Sequence, residues 1–210
     1  MKALRYLVVP VMLLAMSASS NGKEDAPRFA PLAKAQMTPE QTALAEQVLK
    51  VSSIGLGGPY NAMLRSPDMG QRMFDLLDYL RWKTSVPKRL NEFAILIVGR
   101  HWRSQVEWYA HAPIAAKAGL PQSVIDDLKA DKRPATMQPD EAAVHDFVTE
   151  LLAQHKVSDA TFARAKGILG EQGIADLTAV TGTYVTVAML IDVAQESVPA
   201  GKEPPFKDGE

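Results

Sequence analysis

Apolar residues recur along this chain at the three- and four-residue spacing of one helix face, and nowhere do they alternate with polar residues as a half-buried strand requires. Met73, Leu76, Leu77 and Leu80 form one such stripe. Leu90, Phe93, Ala94, Leu96, Ile97 and Val98 form a second, and Val144, Phe147, Val148, Leu151 and Leu152 a third. The stripes follow helix starts: Thr38-Pro39, Ser66-Pro67, Pro87, Pro121 and Ser158 each supply a capping side chain or a proline suited to the first turn. Helices are therefore predicted from 38 to about 53, from 67 past Leu80, from 87 to a bend at Gly99–Ser104, and on to about 118, where Gly119 suits a helix end. Further helices are predicted over 121–130, 140–154, 158–169 and 174–196. Residues 55–61 read as a Gly/Pro loop. The last helix is apolar on most sides, which fits a core or a subunit interface. The fold class is all-α, a helical bundle without internal repeats.

Length and charge narrow the function. A chain of 210 residues holds one domain with tails. Its net charge of −1 gives no basic excess for gripping nucleic acid or anionic lipid. It has no cysteine, which excludes disulfides, thiolate nucleophiles, thiol peroxidase chemistry and Cys-bound metals. The N-terminus has a signal pattern: Lys2 and Arg5, a short apolar run over 7–16, then small residues including Ala15 and Ser17. Residues 1–20 are expected to be a signal peptide cleaved near 17–20, delivering a periplasmic or secreted protein with no further membrane helix. Residues 21–37 are expected to be a flexible lead-in, 38–198 the folded domain and 199–210 a disordered tail.

Chemistry concentrates in residues 101–111, which hold two of the four histidines. Ser104, Glu107 and His111 are spaced three and four apart and share one helical stripe. Two readings fit. Ser104 to Glu107 is a capping-box pattern that closes a helix start. Alternatively, Glu107 bonds His111, fixing its tautomer for proton transfer near neutral pH. His145 and His155 read as surface residues, and no histidine spacing suggests a metal site.

The run over 87–98, followed by Glu107-Trp108-Tyr109-Ala110-His111 and Ala118-Gly119-Leu120, resembles the carboxymuconolactone decarboxylase family. So does the upstream run over 58–64 with Ser66-Pro67, and the resemblance extends over about 40–198. The wider superfamily includes the AhpD-like alkylhydroperoxidases, whose pattern is Glu, eleven residues, Cys, two residues, Cys, three residues, His. Here the same spacing carries Glu92, Ser104, Glu107 and His111, with both cysteine positions replaced. The resemblance implies a helical bundle that assembles as trimers or hexamers. It also implies a decarboxylase-type lyase without cofactor or metal, acting on a small carboxylated lactone or enol acid. In that setting His111 is the acid/base, Glu107 its orienting partner, His101 a second donor and Glu92 a supporting relay carboxylate. Arg100 or Arg103 binds a substrate carboxylate, Arg89 is a weaker candidate, and Ser104, Tyr60 and Asn61 help line the pocket. Tyr184 offers a hydroxyl from the last helix, though packing explains it equally well. A binding protein that has kept the fold without catalysis is the alternative.

Overall fold

The computed structural model describes residues 26–207, so the expected signal peptide at 1–20 lies outside the described residues. Among those residues the elements are a short 3-10 turn (Lys34–Gln36) and eight α-helices, with no strand. The helices are α1 (Pro39–Val48), α2 (Pro59–Met63), α3 (Pro67–Trp82) and α4 (Lys88–His101). They continue with α5 (Gln105–Lys117), α6 (Gln122–Lys129), α7 (Pro139–Gln154) and α8 (Asp159–Ala194).

The predicted starts hold for a physical reason. Thr38 Oγ1 accepts the Gln41 amide at 3.3 Å while Gln41 Oε1 accepts the Thr38 amide at 2.9 Å, and Pro39 needs no amide partner at the first helical position. Ser158 Oγ accepts from Thr161 N at 3.4 Å.

α4 is the hub. Every residue of 90–99 is buried, and the helix packs against α5, α7 and α8 at once. A helix enclosed on all sides carries apolar residues around its whole circumference, as this one does. Phe93, Leu80, Met63, Leu177 and Val180 form the centre of the core, each fully buried. The bend expected over 99–104 falls at Arg103, whose φ is 50°, after α4 has run on to His101. α5 then returns against α4.

Three more expectations change, while a fourth holds. The loop expected at 55–61 already contains α2. Gly58 starts it with φ 62°, and a Cβ there would stand 2.8 Å from the Ile54 side chain. The two helices expected at 158–169 and 174–196 both form: α8 consists of two helical runs that meet at Gly170, whose φ of 70° and ψ of −179° are not helical. α8 is also long and apolar enough, by composition alone, to cross a membrane, contrary to the expectation of no such segment. Its buried stripe of Leu177, Val180, Tyr184, Val187 and Ile191 instead lies in the bundle core. The lead-in and tail are both tethered over the described residues. Arg28 N donates to Ala194 O at 2.8 Å, and the Phe29 carbonyl accepts from Asn61. At the other end Phe206 is buried against Trp108, with ring centroids 5.2 Å apart, and its backbone exchanges two hydrogen bonds with the Gln105 side chain. A composition-based reading of 199–210 misses this single aromatic anchor.

One polar hub sets the register of the site. Asp176 on α8 accepts from Thr84 Oγ1, Ser85 N and Ser85 Oγ at 2.8–3.0 Å, and from Tyr79 at 3.2 Å. Burial acts to raise its carboxyl, but these donors outweigh it and hold the group below the usual aspartate range. The hub fixes the 83–87 connection, so the end of α3 lies beside the start of α4.

Candidate active site

Four helices and one connecting segment meet around a small cavity of about 50 Å³. α3 supplies Arg81, α2 supplies Tyr60, α5 supplies Glu107 and His111, α8 supplies Tyr184, and residues 51–54 close one side. Val106, Ile114, Val187 and Ile191 provide apolar wall.

The partner of His111 is Glu92, on the facing helix, and not Glu107. His111 Nδ1 lies 2.7 Å from Glu92 Oε2, and the Glu92 side chain is fully buried. Lys88, one turn earlier on α4, pairs with the other carboxylate oxygen at 2.6 Å. Burial drives the Glu92 carboxyl upward, but the hydrogen bonds and positive charge of His111 and Lys88 outweigh it and bring it down to about 2. An ionised carboxylate only accepts, so Nδ1 is the donor. Nε2 is then the imidazole nitrogen left for chemistry, on a ring that lines the cavity. The Tyr184 ring meets this imidazole edge to face, with centroids 5.1 Å apart and planes at 89°, and holds its orientation.

Glu107 behaves in the opposite way. It is fully buried, neither oxygen has a hydrogen-bond partner, and burial raises its carboxyl well above the usual glutamate range. Space for it comes from Gly99 on α4, where a Cβ would stand 3.3 Å from Glu107 Oε1. The capping box does not form either: Ser104 caps no amide with its side chain, and its buried Oγ has no partner.

Arg81 is the cation that sequence reasoning missed. Its guanidinium stacks over Trp82 with Cζ 5.0 Å from the ring centre, and its buried Nε has no partner. It makes no ion pair among the described residues. Burial raises the Tyr60 phenol, opposed by the charge of Arg81 and a hydrogen bond to it. Burial also lifts Tyr184 well above the usual phenol range; Arg81 opposes this, while Glu92, Glu107 and Tyr60 reinforce it. The signal for Arg81 was its place four residues after Leu77, which sets a charge on the apolar stripe of α3.

The other nominated residues lie elsewhere. His101 is exposed and borders a separate cleft with Arg100, Arg133 and His145. Arg100 faces Asp131 at 3.5 Å and the Phe206 ring, and Arg103 is exposed and donates to the Lys207 carbonyl. Arg89 pairs with Asp140 and Glu141. Asn61 serves the scaffold: its amide donates to Phe29 O at 2.8 Å and Glu196 Oε1 at 2.7 Å. Glu196 also accepts from Gly58 N, which anchors the turn that presents Tyr60. His145 is buried rather than on the surface, stacked on Phe93 and held by Asp146 and Arg133. Among the described residues no cluster of three His, Asp or Glu side chains is placed to hold a metal.

No family model and no curated protein matches this sequence. Among solved structures, the chain is similar to an alkylhydroperoxidase AhpD core from Ralstonia eutropha JMP134, described as an uncharacterized peroxidase-related protein. The TM-score is 0.66 at 17% identity, covering 78% of this chain and 88% of that one. The fold is thus AhpD-like and all-helical.

Proposed function

We propose that this chain is a cofactor-free acid/base enzyme, a lyase or isomerase acting on a small carboxylated lactone or enol acid, on the carboxymuconolactone decarboxylase side of the AhpD-like superfamily. The observation that carries this is an unpaired guanidinium, Arg81, in the same cavity as the His111–Glu92 pair. A half-buried cation without an anion is a receptor for one, and Arg offers a carboxylate two parallel bonds. Glu92 sets the tautomer of His111 and Lys88 already balances the Glu92 charge, so Nε2 is free to take or give a proton at carbon. The apolar walls lower the local polarity around a bound substrate and strengthen both interactions. The likeness to a peroxidase-related protein does not lead to a peroxidase here, since no thiolate exists to attack a peroxide.

The chain is further proposed to act outside the cytoplasm after loss of its leader. Self-association is proposed through the apolar side chains that α3 and α8 leave exposed, Met69 and Leu76 on the first and Met189 and Val193 on the second, each at least 40% exposed. Light scattering tests this: trimers or hexamers are expected, and a monomer at micromolar concentration rejects it.

The functional test incubates the protein in deuterated water with carboxylated lactones and enol acids, following CO2 loss and carbon-bound deuterium by mass and NMR. Turnover that His111→Ala abolishes is expected. Tight binding with neither CO2 loss nor exchange would instead favour a binding protein.

A further inference from the structure

The His111–Glu92 pair leaves Glu107 without a role, and nothing in the packing explains it. Glu107 stands on α5 one turn before His111, and both line the cavity. No donor reaches either carboxyl oxygen. Arg81, Tyr60, His111 and Tyr184 line the same cavity, yet none of them offers Glu107 a hydrogen bond, and burial alone governs its carboxyl. A carboxylate that is desolvated and unbonded is far costlier than the neutral acid. The cavity therefore holds a carboxyl that carries a proton beside an imidazole with one nitrogen free. Gly99, directly behind, leaves the space that a methyl group would take from the Glu107 carboxyl.

We propose that Glu107 is a second proton-transfer group, which gives its proton to one carbon of the substrate while His111 Nε2 takes a proton from another. The reaction is then an allylic 1,3-proton shift in an unsaturated carbonyl compound bearing a carboxylate on Arg81. This rests on the acid/base reading above and specifies its reaction class. In a β,γ-unsaturated lactone, the Cα–H bond breaks and its proton goes to His111. The electron pair moves through the enolate, the double bond shifts to α,β, and a Cγ–H bond forms with the proton of Glu107. Imidazolium and carboxylate remain, and a proton returned through cavity water restores both. The cavity of about 50 Å³ has room for roughly four waters when no substrate is bound. Arg81 favours this course over loss of CO2, because a carboxylate held by a guanidinium must surrender that interaction as its charge leaves.

The test uses the β,γ-unsaturated γ-lactone with a carboxymethyl group on its γ-carbon, in deuterated water, followed by NMR. The wild-type protein is expected to convert it to the α,β-isomer with deuterium at Cγ and no CO2, and to exchange deuterium into Cα of the substrate not yet converted. Glu107→Gln is expected to slow delivery to Cγ by about 100-fold or more, while deuterium still enters at Cα near the wild-type rate. Isomerisation by Glu107→Gln at the wild-type rate overturns the proposal, as does release of CO2 in place of the shift; either leaves the acid/base reading standing. If the wild type exchanges nothing at Cα, or His111→Ala exchanges as fast, the acid/base reading itself fails and this one with it. Infrared spectroscopy gives a readout independent of turnover. A neutral-carboxyl band at pH 7 that disappears in Glu107→Gln is expected, and its absence from the wild type overturns the proposal.

Discussion

Replacing Glu92 by Gln tests the electrostatic frame of the cavity through stability, without any substrate. The ordinary glutamate value is 4.5 and burial alone would raise it, yet His111 and Lys88 bring Glu92 to about 2. That fall corresponds to about 3 kcal/mol of preference for the ionised form in the folded protein. A carboxyl depressed in this way stabilises the fold above its unfolded value, and the contribution disappears as pH drops from about 4.5 toward 2. Glu92→Gln lacks this titration and leaves Lys88 without its partner. We expect the variant to be less stable by about 2–3 kcal/mol above pH 5, with the gap closing as acid protonates Glu92 in the wild type. Urea unfolding from about pH 2.5 to about pH 6 measures both curves. Parallel curves with a constant gap would refute the assignment of an ionised, doubly paired Glu92.

Two further outcomes follow from the geometry. Arg81→Ala is expected to raise KM for carboxylated substrates about 10–100-fold and to leave uncharged analogues little affected; an equal effect on both would remove Arg81 as the anion receptor. Phe206→Ala is expected to cost about 2–3 kcal/mol in urea unfolding, because the ring is buried against Trp108 and Arg100; a change near zero would mean the tail packs without contributing.

Much of the fold was legible because helix starts are local. Thr38-Pro39 and Ser158 announce their helices within four residues, and no distant partner is needed to read them. The apolar stripe of Leu90, Phe93, Ala94, Leu96, Ile97 and Val98 likewise announced a helix, though not that neighbours enclose it on every side. The site was harder, because its partners are far apart in sequence. The i,i+4 spacing favoured Glu107 as the mate of His111, whereas the true mate lies nineteen residues away on α4. The resemblance placed Glu92 and His111 together as relay positions, but pattern alone did not. Ser104 and Glu107 fit a capping box by spacing; only the close approach of α4 at Gly99 turns Glu107 inward. Arg100, Arg103 and His101 sit beside the chemical segment in sequence and point away from it in space. Arg81, more than twenty residues upstream, reaches the cavity because Asp176 pins the α3–α4 connection.

The long-range closures around α8 bear on when, during synthesis, the cavity comes into being. Glu196 reaches back to Gly58 and Asn61, and Arg28 reaches forward to Val193 and Ala194. Tyr184, Val187 and Ile191 contribute a wall that nothing earlier in the chain replaces. Helices α1 to α7 can form as they emerge, but the anchored Tyr60 turn and the ring against His111 wait for the final helix. Loops of this length close slowly compared with helix formation. A nascent chain therefore lacks this wall until α8 docks, and the His111 imidazole waits for the Tyr184 ring that orients it. The closed cavity is thus acquired in the last folding step.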